Sequence, residues 1–292
     1  MASQLRILIT GAAGLLGRHL IPQLSGQNEV YSVGRSNGEK AATPISVDFN
    51  DSWSAGSLPE SIDVIIHLAQ SAAYRDFPLK ANEVFKVNLE STARLLDYAY
   101  SSGAKRFILA STGGIYRPDS SPLTEDSELL GPDQLGYYFA SKLASEMLAG
   151  TYRPYFDVHV FRIFFMYGRN QRPEMFVPGL INRIETGLPI TLNGPDGIHV
   201  NPVHADDVAA AMAQIARSGG PKTINAAGPD VLSIRAISEI IGKIVGREPV
   251  VVEEGVRPDL VANVGDFRNL VGRELIPFSD GIFSLLPLKD GS

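Results

Sequence analysis

Tyr138 and Lys142 stand four residues apart in a stretch whose pattern predicts a helix over residues 135–149, so both side chains leave one helix face about one turn apart. A nearby ammonium favours tyrosinate and lowers the phenol pKa, which lets the oxygen exchange a proton with a substrate hydroxyl or carbonyl. Tyr137 is a rival hydroxyl, but at five residues from Lys142 it faces another direction. Ser111 and Thr112 close the strand expected just before this helix. Ligands of open parallel sheets gather beyond the C-terminal strand ends, so a hydroxyl there would bind the same substrate oxygen as Tyr138. The competing account is structural: Tyr138 packs, Lys142 is solvated, and Thr112 caps the turn made by Gly113 and Gly114.

Residues 10–17 read Thr-Gly-Ala-Ala-Gly-Leu-Leu-Gly. Gly11, Gly14 and Gly17 permit a tight turn, close approach of main chain to phosphate and close packing of the next helix on a sheet. With Ala13, Leu15 and Leu16 they form the start of a helix whose free N–H groups and positive dipole end suit a pyrophosphate. The pattern gains its specificity from opening a strand–turn–helix–strand unit, and NAD or NADP is the expected cofactor. The usual acidic ribose partner after the second strand is missing; Gly34-Arg35-Ser36-Asn37 stands there. Arg35 can pair with a 2'-phosphate, and Ser36 or Asn37 can add hydrogen bonds, which favours NADP over NAD. Asp48 would accept from the adenine amino group, with Phe49 beside it.

These groups need a frame. Apolar runs at residues 5–10, 29–34, 63–68, 105–111 and 158–165 predict strands covered on both faces, and helical patterns at 15–24, 81–101 and 135–149 lie between them. The alternation implies right-handed crossovers and an α/β fold, a Rossmann-type doubly wound parallel sheet. Beyond residue 167 the texture changes, with helices at 175–186, 206–216 and 233–245, a strand at 222–226 and a turn at 194–197. The expected division is a cofactor-binding domain over 1–167, with return segments near 200–228, and a smaller, discontinuous substrate lobe over 168–292. Residues 117–136, rich in Pro, Ser, Asp and Gly, read as a long loop over the substrate.

Composition narrows the classes. Of 292 residues, 26 are basic and 32 acidic, for a formal charge of -6, which gives no electrostatic reason to expect nucleic acid. The absence of cysteine excludes disulfides and thiol nucleophiles. The histidines lack the spacing of zinc ligands, and Asp206 and Asp207 are assigned to a helix start, so no metal is expected. With no signal-peptide pattern and no apolar run of about 18 residues, a cytoplasmic protein without membrane partners is expected.

Taken in order, the motifs resemble the extended short-chain dehydrogenase/reductase family, in its nucleotide-sugar epimerase, dehydratase and reductase branch. The resemblance rests on residues 10–17, Asp48, His67-Leu68-Ala69, Val87-Asn88, Ser111-Thr112 with Ile115-Tyr116, residues 138–142, 162–168 and 204–208. It implies Tyr138 as acid/base, Lys142 as the group that holds the nicotinamide ribose and tunes Tyr138, and Thr112 as the substrate-binding hydroxyl. It also implies that Asn88 positions the cofactor-side helix and its water. Leu68, Ala69, Gln70 and Ser111 would line the cofactor, and Ile163 to Phe165 would approach the nicotinamide. Ser71, Arg75 and Gly113 would border the substrate, and Arg257 resembles a phosphate-binding arginine. Two positions depart from the pattern: Phe165 replaces an asparagine and Val200 an arginine, both of which serve a sugar diphosphate in the family. A homodimer through the helices at 81–101 and 135–149 is also implied.

Three reactions share this geometry. Elimination is disfavoured, because Gly113-Gly114 follows Thr112 where dehydratases carry an Asp-Glu pair. Arg35 tips the balance toward an NAD(P)-dependent oxidoreductase acting on a sugar or nucleotide-sugar carbonyl or hydroxyl. The alternative is a nucleotide-sugar 4-epimerase with tightly bound NAD. A cofactor-binding regulatory protein without catalysis is the third reading, against which Thr112, Tyr138 and Lys142 all weigh.

Overall fold

In a computed structural model, which describes residues 4–35, 40–220 and 222–286, seven strands form one parallel sheet. They are β1 (Arg6–Thr10), β2 (Glu29–Gly34), β3 (Thr43–Ser46), β4 (Val64–His67), β5 (Arg106–Thr112), β6 (Asp157–Ile163) and, after two short strands β7 (Ile190–Leu192) and β8 (His199–Val200), β9 (Thr223–Ala226). Their order is β3-β2-β1-β4-β5-β6-β9, so the order reverses between β1 and β4. A crevice opens at such a switch point. The register aligns Thr10 with His67 and Thr112 with Ile163, which brings the residues with chemical potential to one sheet edge.

The helices fill both faces. On one face α1 (Leu15–Ser25) directs Leu16, Leu20, Ile21 and Leu24 onto the sheet, because these positions recur at helical spacing. On the other, α2 (Ala81–Val84) runs through a π turn (Phe85–Glu90) into α3 (Ser91–Ser101), which packs beside α4 (Tyr137–Thr151). The sequence pattern predicts one regular helix across 81–101; the π turn interrupts it and places buried Asn88 at the widened turn. After α5 (Phe176–Thr186), α6 (Ala205–Ser218) returns to pack on α1, and with β9 it belongs to the main layer. Each fully buried side chain such as Leu20 or Met212 contributes about 1.5–3 kcal/mol by leaving water.

The smaller lobe has a core of its own. β10 (Leu232–Ser233) pairs with β8, α7 (Ile234–Val245) buries Ile234, Ile237 and Ile241, and β11 (Val251–Glu253) pairs with β7. Ser233 accepts a hydrogen bond from the Ala236 N–H at 3.1 Å, capping α7. Two short helices follow: α8 (Gly265–Val271) packs on α6 and β9 and buries Phe267 in the main core, and α9 (Phe278–Gly281) buries Phe278 in the core of the lobe.

One local expectation holds and one changes. Asp206 and Asp207 stand in the first turn of α6, at its positive end; the cap itself is His204, whose Nδ1 accepts from the Asp206 N–H at 3.2 Å, and the carboxylates also pair with His19 and Arg273, each at 2.6 Å. The segment 117–136 is fastened to the body rather than laid over the cleft. Leu123 is buried and bridges to Ala262, while the Glu125 carboxylate accepts from the Asn225 N–H at 2.7 Å.

Candidate active site

A cleft of about 900 Å³ runs along the C-terminal sheet edge from the glycine turn to the start of α5. At its first end Gly11 has φ +69°, and a Cβ there would lie 2.8 Å from the Ala69 nitrogen. A Cβ on Gly17 would overlap the backbone of Ala12. Both glycines are therefore required by the packing of this turn. Gly14 has no side chain to cap α1, so the first N–H groups, at Leu15, Leu16 and Gly17, stay available where the helix meets the cleft. That arrangement fits the pyrophosphate of a dinucleotide. Ala13, Arg35, Asp48, Phe49, Leu68 and Ala69 line the same end; Asp48 accepts from the Asn50 N–H at 2.9 Å, and Arg35 is exposed. Ser36 lies outside the described residues.

The glycine turn yields a direct prediction. Gly17→Ala forces backbone apart rather than a movable side chain, at a cost of about 1–3 kcal/mol. Dinucleotide affinity, measured by titration calorimetry, should fall about tenfold or more; unchanged affinity would show that the turn does not hold the phosphate.

Thr112, Ser111, Tyr138 and Lys142 line the middle of the cleft together with Gln70, Ser71 and Ile163. Thr112 caps the short turn after β5 by accepting from the Gly114 N–H at 3.1 Å. Tyr138 donates to Gln70 Oε1 at 2.9 Å, while its ring lies 4.9 Å from that of Tyr74. The phenol pKa is pushed above its ordinary value, chiefly by burial and further by Tyr74. This reverses the direction expected from the Tyr138–Lys142 spacing. The Lys142 ammonium donates instead to the Ala110 carbonyl at 2.7 Å, and burial draws its pKa down to about 8 against the opposing pull of Glu146. Tyr137 turns away to stack on Phe77 at 4.8 Å.

A polar layer supports these groups from behind. Asn88 Oδ1 accepts from the Ser71 N–H at 2.9 Å, and its Nδ2 donates to Ser141 Oγ at 3.0 Å. Its carbonyl accepts from both Thr92 and Ser145 hydroxyls, at 2.7 and 2.9 Å. Asn88 thus fastens α3, α4 and the segment after β4 without itself lining the cleft. His67 is buried between Thr10 Oγ1 at 2.7 Å and Thr92 Oγ1 at 3.0 Å, and burial holds its pKa near 3, so it is neutral.

The far end carries an apolar cluster. Tyr74, Phe165, Met166, Met175 and Phe176 line it, with Arg75 and Arg172 at its edge. Phe165 has φ +42°, a left-handed conformation that costs a residue with a side chain about 1–2 kcal/mol and that asparagine tolerates better. Its ring packs edge-on against Phe176 at 5.3 Å. Gly113 does not reach the cleft, because the Phe164 ring occupies the space beside it. Arg257 is exposed elsewhere in the lobe, and Val200 is buried. Tyr74 falls within the segment 71–75 that the sequence places beside the substrate; Phe176, Glu83 and Arg172 were missed, and none of them carried a signal.

The chain is similar to known proteins over most of its length. A UDP-glucuronate 4-epimerase of Thermodesulfobacterium geofontis is 32% identical over 192 residues, covering 64% of this chain and 58% of that protein. A probable UDP-glucuronate 4-epimerase of Rhizobium meliloti is 28% identical over 98% of this chain and 86% of its own. The UDP-glucuronic acid 4-epimerase from Bacillus cereus, solved with UDP-glucuronic acid and NAD, shares the fold with a TM-score of 0.83 at 23% identity, over 96% of this chain and 97% of that one. The model of the NAD dependent epimerase/dehydratase family matches residues 7–227, which take in the glycine turn, the Tyr138–Lys142 pair and the return to α6, and the chain belongs to that family.

Proposed function

We propose that this chain is a nucleotide-sugar 4-epimerase that works with tightly held NAD. The observation that carries the reading is one continuous cleft that joins a phosphate-binding turn to Thr112, Tyr138 and Lys142. When bound, the dinucleotide supplies a hydride acceptor and donor. Thr112 holds the reacting sugar oxygen, Tyr138 moves its proton, and Lys142 fixes the ribose side. The relatives named as 4-epimerases, one of them solved with NAD, support ranking this reaction above the reductase that Arg35 suggests, and NAD above NADP. An exposed Arg35 is compatible with either dinucleotide. A uridine diphosphate sugar is the proposed substrate class. Exposed Met147 on α4 and Tyr100 on α3 support a homodimer through these helices. Among the described residues, no helix is long and apolar enough to cross a membrane.

The test is incubation of the purified protein with UDP-glucuronate and UDP-glucose, followed by magnetic resonance of the product. Inversion at C4 without net change in reduced dinucleotide is expected, with NAD released on denaturing the protein. Stoichiometric reduction of added NAD or NADP with formation of a keto sugar and no inversion would select a simple oxidoreductase and overturn the proposal.

A further inference from the structure

Gln70 occupies an unusual position. Its neighbours are pinned by buried polar groups: the Ala69 N–H donates to Thr10 Oγ1 at 3.1 Å, and the Ser71 N–H to Asn88 Oδ1 at 2.9 Å. Ser71 is held again through its hydroxyl, which donates to Glu83 at 3.0 Å. Gln70 itself is exposed on the cleft, and its carbonyl oxygen accepts from the Tyr138 hydroxyl at 2.9 Å. A rigid frame therefore aims one flexible amide at the oxygen whose proton the reaction moves.

We propose that Gln70 is a catalytic residue that holds the Tyr138 oxygen in both of its protonation states by turning its amide. The inference rests on the proposed proton role of Tyr138. An amide ends in an acceptor oxygen and a donor nitrogen at nearly equivalent positions, exchanged by rotation about one bond. Toward the phenol the oxygen faces Tyr138; toward the phenolate the N–H does. A substrate proton that passes to the phenolate turns the amide back. The same groups without this exchange would leave one state unpaired, at a cost of about 1–3 kcal/mol. Burial and Tyr74 already disfavour the phenolate, so a donor for it has a clear physical use. The other titratable groups on the cleft are Asp48, Arg35 and Arg18 at the cofactor end, Tyr74 and Arg75 after β4, Glu83 on α2, Lys142 on α4 and Arg172 before α5.

Gln70→Glu keeps the shape and the acceptor but removes the donor and adds a charge; Gln70→Leu removes both hydrogen-bonding functions. The phenol of Tyr138 is titrated by tyrosinate absorbance, as the difference between each protein and its Tyr138→Phe counterpart, and turnover is followed on UDP-sugars across pH. Gln70→Glu should move the Tyr138 titration up by about one unit or more. Gln70→Leu should lower kcat about tenfold with KM changed less than about threefold. A Tyr138 titration that coincides in wild type and Gln70→Glu overturns the proposal, as does unchanged kcat in Gln70→Leu or a loss that lies wholly in KM. A shifted titration in a protein that inverts no UDP-sugar defeats the epimerase reading instead, and leaves the Gln70–Tyr138 coupling standing.

Discussion

Tyr138→Phe should bind NAD as the wild type does and lose turnover by a factor of about 10²–10⁴. The substitution removes one oxygen and nothing else. The ring keeps its contacts with Tyr74 at 4.9 Å and Phe139 at 5.4 Å, and Gln70, the partner that loses its hydrogen bond, is itself exposed and can turn to water. Stability should change by less than about 1 kcal/mol. Cofactor affinity should hold, because the glycine turn and the start of α1, at the first end of the cleft, are untouched. The loss should appear in kcat, since a proton transfer is removed while the binding surface is retained. Urea unfolding, calorimetric titration of NAD and steady-state kinetics check the three statements in turn. Turnover within tenfold of wild type would remove Tyr138 from the chemistry.

The cofactor end was legible in the sequence because its determinants are local. A turn, a helix start and two strands sit within residues 6–34, and each constraint acts between neighbours in the chain. The Tyr138–Lys142 pair was legible for a similar reason, since helix pitch alone places both on one face. Where the Lys142 ammonium goes was not. Its partner is a carbonyl on β5, and the choice between that oxygen and the phenol depends on how α4 crosses the sheet. The π turn at Asn88 leaves no mark in composition, because one extra residue in a turn conserves the apolar residues on either side. Phe165 was visible as a departure in residue type, yet its left-handed backbone and its contact with Phe176 appear only when α5 is in place. The loop at 117–136 was misplaced because its anchors, Asn225 and Ala262, lie about a hundred residues and more along the chain.

The largest effect on stability should come from Arg162, where β6 meets α4. Its guanidinium pairs with Glu146 at 2.8 Å, donates to the Tyr116 hydroxyl at 2.6 Å and to the Glu125 carbonyl at 3.1 Å, and lies 4.8 Å from the Tyr116 ring centre. Glu146, one turn beyond Lys142, also accepts from the Ser111 hydroxyl. Both ions are buried, with side chains 10% and 8% exposed, so neither can be rehydrated where it stands. Arg162→Met should therefore cost about 3–5 kcal/mol, most of it from the carboxylate left unpaired. Adding Glu146→Gln removes that charge and should return about 2 kcal/mol of the loss, although the hold on Tyr116 and Glu125 stays broken. Urea unfolding of the two single variants and the double variant measures the coupling. A single-variant loss below about 1 kcal/mol, or no recovery in the double, would show that the pair does not fasten the sheet to the helix that carries Tyr138 and Lys142. The recovered double variant then separates two roles that one substitution confounds: a stable protein with low turnover would mean that Glu146 and Arg162 set the position of the catalytic helix as well as holding the fold together.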